Sequence, residues 1–176
     1  MTEFWLDIGS GIDAEHWTAT TTPAGVRLVA LDPLFTSGMV ASGRMAALPP
    51  AILRVGGEVR PAQSVESGKQ LSFLPFGAGS FTRVHCGFML HLYLETLELL
   101  AEECRRVLKP GGELEVVLPH FGDSHSEGVR LKTLEVLQRT FANAEASAFE
   151  GPFTTFWGDL YRDKSCRIRC VKTGSE

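Results

Sequence analysis

Near the start of the chain, Phe4-Trp5-Leu6-Asp7-Ile8 runs without a break into Gly9-Ser10-Gly11. A short apolar run ended by a glycine turn reads as a strand. Val26-Arg27-Leu28-Val29-Ala30-Leu31 is a second strand, stopped by Asp32-Pro33, because proline cannot extend a central ladder. Residues 81–88 read as a strand centred on Val84, Leu114-Glu115-Val116-Val117-Leu118 as another, and Cys166-Arg167-Ile168-Arg169-Cys170-Val171 alternates as a closing strand. A third strand is expected at residues 58–65, after the Gly56-Gly57 turn. Phe153-Thr154-Thr155-Phe156-Trp157 reads as the core of a sixth strand, with an exposed contact patch as the alternative.

Helical signals lie between these runs. In residues 93–108, Leu94, Leu97, Ala101, Cys104 and Leu108 recur at three- and four-residue steps and form one apolar stripe. Glu95 and Glu98 near its start and Arg105, Arg106 and Lys109 at its end suit the helix dipole, and Pro110-Gly111-Gly112 stops it. Val129, Leu134, Leu137 and Phe141 mark a further helix from about Ser126. Strands alternating with helices predict an α/β fold, a doubly wound and mostly parallel sheet, in a single domain over residues 1–176.

With 176 residues, 44% hydrophobic and 22% charged, the composition excludes a disordered, collagen-like or coiled-coil chain. The net charge of −4 comes with no basic stripe, so no nucleic-acid partner is indicated. No apolar run approaches the roughly 20 residues of a membrane span, and the first residues carry no secretory signal. A cytoplasmic location is expected. Cys86, Cys104, Cys166 and Cys170 form no CxxC pair and no zinc-ligand spacing, so buried free thiols and no metal are expected.

In a doubly wound sheet, ligands bind outside the carboxyl ends of the strands, beside strand one. Asp7, Gly9, Ser10 and Gly11 stand there, and Asp32 ends strand two, where a carboxylate can accept both hydroxyls of a ribose. Together they indicate an adenosine-type ligand. Gly9-x-Gly11-x-x-Ala14 satisfies a dinucleotide fingerprint, but Asp7 would repel a pyrophosphate. S-adenosylmethionine, with its ammonium and sulfonium, suits an acid beside the turn.

At these residues the sequence resembles the class I S-adenosylmethionine-dependent methyltransferases. Leu6-Asp7-Ile8-Gly9-Ser10-Gly11 is similar to their first motif, Leu74-Pro75-Phe76 with Ser80-Phe81 to the approach to strand four, and the run from Glu103 to Gly112 to the helix and turn before strand five. The resemblance implies a Rossmann-like, seven-stranded sheet of order 3-2-1-4-5-7-6 with an antiparallel last strand. It also implies that Pro33 lies next to the adenine, that Gln70 meets the adenine amine with Leu71 beside it, and that Cys86, Gly87 and Phe88 end strand four beneath the transferring methyl. Strand one begins at about residue 4, leaving no room for the N-terminal helices that often cover the cofactor in this family. A loop, a homodimer mate, a partner subunit or the substrate is then expected to supply the cover.

Methyl transfer needs a nucleophile in line with the sulfonium and often a base for its proton. His91 lies just beyond strand four and His120 just beyond strand five, both on the ligand edge, and both are candidates for base or substrate contact. Asp123 either orients His120 or begins the turn before Ser126 caps a helix. Trp17 and Tyr93 either face the sulfonium or pack. The expected activity is methylation of a biosynthetic small-molecule, carrier-bound or peptide acceptor. Three departures from the family pattern, Asp13, Gln70 and Thr82, motivate the alternative of a non-catalytic subunit that completes or regulates a partner enzyme; a nicotinamide-dependent oxidoreductase is a third reading.

Overall fold

The apolar run that opens the chain is strand β1, Glu3–Ile8, set inside a seven-stranded sheet. The computed structural model describes residues 2–10, 23–32, 52–56, 74–88, 90, 94–141, 143–151 and 164–174. The other strands are β2 (Val26–Asp32), β3 (Ile52–Gly56), β4 (Phe81–Gly87), β5 (Leu108–Pro119), β6 (Glu145–Ala148) and β7 (Ser165–Val171). Their order is β3-β2-β1-β4-β5-β7-β6, as the resemblance implies. Strands β1 to β5 pair in parallel, and β7 runs antiparallel to both β5 and β6.

Several boundaries differ from the sequence reading. The strand that pairs with β2 is Ile52–Gly56, which ends on Gly56 itself, while residues 58–65, where a third strand is expected, lie outside the described residues. The sixth strand is Glu145–Ala148, an exposed edge that no apolar pattern marks, while 153–157 lies outside the described residues. Helix α1 is Leu97–Val107 and starts later than residue 93; Leu97, Leu100, Ala101, Cys104 and Val107 form its buried stripe. Leu108 is already in β5, which absorbs Pro110-Gly111-Gly112 as an irregularity: Phe81 pairs with Leu108 but Arg83 with Glu113. A Cβ at Gly112 would stand 2.9 Å from the Lys109 carbonyl oxygen and 3.1 Å from that of Thr82, so only glycine fits there. Helix α2, Ser124–Phe141, begins after Asp123, whose Oδ1 accepts from the Ser126 amide at 2.7 Å; the cap is Asp123, not Ser126.

The two faces of the sheet differ in kind. On one, Leu6, Ile8, Val84, Cys86, Leu114, Val116, Leu118 and Ile168 are fully or almost fully buried and form one core with α1 and α2. On the other, the register aligns Asp7, His85, Glu115 and Arg169 in one row, with Arg83 and Glu113 one pleat away. Among the described residues, no helix is long and apolar enough to cross a membrane.

All four cysteines are free and buried, as expected. Burial pushes the thiol of Cys166 up to about 11 and that of Cys170 up to about 12. A hydrogen bond with Cys104, with burial added, raises Cys86. Because the thiolate is the reactive form, folded protein at pH 8 should take up less than about one iodoacetamide per chain in an hour. Urea-unfolded protein should take up four by intact mass.

Candidate functional site

Strand β1 ends at the carboxyl edge of the sheet in Gly9, whose φ of 70° is the left-handed conformation that favours glycine. The amides of Gly9 and Ser10 donate to the Leu31 carbonyl, at 2.8 and 3.4 Å, and so tie the turn to β2. Asp7 and Asp32 are buried, at 2% and 5% exposure, and Ser10 beside them is 7% exposed. Asp7 pairs with Ala30, so Asp32 lies on the same sheet face one pleat nearer the edge. Strand geometry then separates the two Cα atoms by about 8 Å. Two carboxylates on one face of a switch-point edge suit an ammonium and ribose hydroxyls and oppose a pyrophosphate. The donor set fits S-adenosylmethionine.

Strand β4 ends in Cys86, Gly87 and Phe88. The Cys86 side chain points into the core against Cys104, so only its main chain belongs to the opposite face. A Cβ at Gly87 would stand 2.9 Å from Nε2 of His85, which gives that glycine a packing reason. Phe88 has a φ of 54°, rare for a bulky residue, and donates its amide to the Val117 carbonyl at 2.8 Å. Such a conformation costs about 1–3 kcal/mol and typically collects at functional sites. No sequence signal announced it.

His85, 2% exposed, shares its Nδ1 with Oε1 of Glu115 at 3.2 Å. Glu115 also accepts from Arg83 at 3.1 Å and from Arg169 at 3.0 Å. Burial alone would raise the Glu115 carboxyl. The hydrogen bond with His85, with the charge of Arg83 and the bond from Arg169, outweighs it and holds the group well below the usual carboxylate range.

His120 follows β5, its amide bonded to the Lys164 carbonyl at 2.7 Å. Its Nε2 lies 2.8 Å from Oε2 of Glu127, in the first turn of α2. The hydrogen bonds from Arg130 and His120 lower the Glu127 carboxyl to about 2, so it is ionised at neutral pH. An ionised carboxylate only accepts, so Nε2 carries the proton and Nδ1 is the basic nitrogen of the neutral ring. Glu127, not Asp123, orients His120. The sequence reading missed it because Asp123 is nearer in the chain, yet Asp123 is spent on Ser126.

Gly11, Pro33, Gln70, Leu71 and His91 lie outside the described residues, as do Asp13, Trp17 and Tyr93. Thr82 sits at the far end of β4, its hydroxyl donating to Glu3 and the Phe4 carbonyl at 3.3 Å. Its departure from the family pattern therefore concerns strand pairing and not the ligand edge.

Residues 6–116 match the family described as "Methyltransferase domain". No curated protein matches the sequence. A chain from the complex between the Haloferax volcanii Trm112 methyltransferase activator and a methyltransferase has a TM-score of 0.63 at 16% identity, over 99% of this chain and 83% of that one. A SAM-dependent methyltransferase from Aquifex aeolicus has 0.62 at 12% identity, over 97% and 82%. The (4+2)-cyclase SpnF has 0.63 at 14% identity, over 99% and 76%. At these identities the likeness is one of fold.

Proposed function

The chain belongs to the methyltransferase-domain family, and from that premise we propose that it transfers the methyl group of S-adenosylmethionine to a biosynthetic small-molecule, carrier-bound or peptide acceptor. The observation that carries this reading is the pair of buried carboxylates, Asp7 and Asp32, on one face beside the Gly9 turn. When bound, the cofactor supplies an electrophilic methyl on a sulfonium. Asp7 holds the ammonium end, Asp32 accepts from the ribose hydroxyls, and the strained Phe88 turn shapes the floor under the acceptor. Nδ1 of His120 takes the acceptor's proton, and Glu127 stabilises the imidazolium that forms. Calorimetric titration with S-adenosylmethionine and S-adenosylhomocysteine tests the reading. Micromolar binding of both, about −8 kcal/mol, is expected; a folded sample that binds neither overturns it.

His120 should carry its proton on Nε2, visible in imidazole nitrogen shifts at pH 8. Glu127→Gln should mix the tautomers and lower kcat about tenfold on an identified acceptor, with cofactor affinity unchanged. A pure Nε2–H tautomer in that variant would remove the orienting role.

The second reading is a non-catalytic subunit that completes or regulates a partner enzyme. The likeness in fold to a cyclase and to a chain from an activator complex supports keeping it, since one fold hosts several chemistries. Co-purification with sizing decides: a partner whose activity requires this chain supports the second reading, and a lone active protein supports the first. The proposed location is cytoplasmic, with all 176 residues acting as one domain.

A further inference from the structure

The sheet face opposite α1 and α2 holds three arginines and two glutamates on neighbouring strands, and they are not equally matched. Arg83 reaches Glu113 and Glu115 at 3.1 Å each and lies over the Trp5 ring at 5.1 Å. Arg169 gives Nε and Nη2 to Glu115 at 3.0 Å. Arg167 reaches Glu115 only at 4.0 Å, across an oxygen already taken by the other two. Its Nε is buried with no hydrogen-bond partner, while its side chain keeps 28% exposure. Glu113 and Glu115 are shared by three guanidinium groups, and Arg167 approaches its carboxylate least closely, so its charge is the least matched of the three.

Its position gives that charge a use. Gly87 pairs with Val117, and Val117 with Arg167, so the three share one row. Strand β7 is antiparallel, so its first residue, Ser165, lies beside Pro119 at the carboxyl edge of β5. Two strand spacings put the Arg167 Cα about 10 Å from that of Gly87. With its Nε buried and its side chain still 28% exposed, the guanidinium offers its Nη groups to solvent, and paired N–H groups suit recognition of oxyanions.

We propose that Arg167 reads an anionic group, a carboxylate or a phosphate, on the acceptor. The inference rests on the methyltransferase reading, which places the transferring methyl above the end of β4.

Arginine Nε–Hε resonances, followed with saturating S-adenosylhomocysteine, test it in two arms, inorganic phosphate and acetate. One resonance, assigned by its loss in Arg167→Gln, should shift saturably in at least one arm, and the tighter arm names the source. Arg167→Gln should raise the anion dissociation constant at least about tenfold, and Arg167→Lys, which keeps the charge without the fork, about threefold. Both variants should bind S-adenosylhomocysteine as the parent does. No saturable shift with the cofactor product bound, or binding that survives in Arg167→Gln, overturns the anion site and leaves the methyltransferase reading standing. Anion binding by a parent protein that takes up no S-adenosylhomocysteine overturns the assignment to an acceptor.

Discussion

Asp32→Ala is expected to weaken S-adenosylhomocysteine binding about 100-fold, a loss of about 2.7 kcal/mol by calorimetry. The carboxylate is 5% exposed at the end of β2, one pleat nearer the edge than the position facing Asp7. In the proposed complex it accepts from two ribose hydroxyls, and hydrogen bonds to a charged group are worth about 1.5–3 kcal/mol each. Water replaces part of that in the variant, so one bond's worth is the expected net loss. Asp7→Asn keeps the shape and removes only the charge facing the ammonium; a loss of about 30-fold is expected. The ammonium is common to cofactor and product, so both ligands should weaken alike. Unaltered affinity in a folded Asp32→Ala would place the ribose elsewhere. Loss of the cooperative melt in either variant would assign the carboxylate to folding.

Glu115→Ala is expected to destabilise the fold by about 3–5 kcal/mol, the usual cost of removing one partner from a buried ion pair. For a chain of this length that corresponds to a fall in Tm of roughly 10 °C. Glu115 is 5% exposed and accepts from His85, Arg83 and Arg169, so its removal leaves the buried His85 ring and the part-buried Arg83 without their carboxylate. The sign of the pH dependence follows from its lowered carboxyl. The folded value lies below the unfolded one, so the contribution is complete above the unfolded carboxylate range, near pH 4.5, and is lost as pH falls toward the folded value. Wild-type protein should therefore lose more stability between pH 5 and pH 3 than Glu115→Gln, read by urea unfolding. Parallel losses in the two would show that Glu115 does not carry the acid sensitivity.

Much of the architecture was legible in the order of residues because the apolar face of a strand writes itself locally. The apolar runs at β1, β2, β4 and β5 each announce a strand without reference to any partner, and the alternation of β7 does the same. Asp7, Gly9, Ser10 and Asp32 were readable as an edge cluster because each directly ends or follows such a run. β3 and β6 were not, since pairing with β2 and β7, not their composition, selects them.

The order of residues also settled the burial of the four thiols and the stripe of α1, both consequences of hydrophobic spacing. Tertiary structure alone decided which polar groups meet. Glu115 is 32 residues from Arg83 and 54 from Arg169, and no periodicity links them until β4, β5 and β7 align in register. Glu127 reaches His120 only because Asp123 starts α2 where it does. Apolar burial is a property of one residue and its spacing, so it survives in a linear pattern; an ion pair is a property of two, and only the folded distance between them makes it.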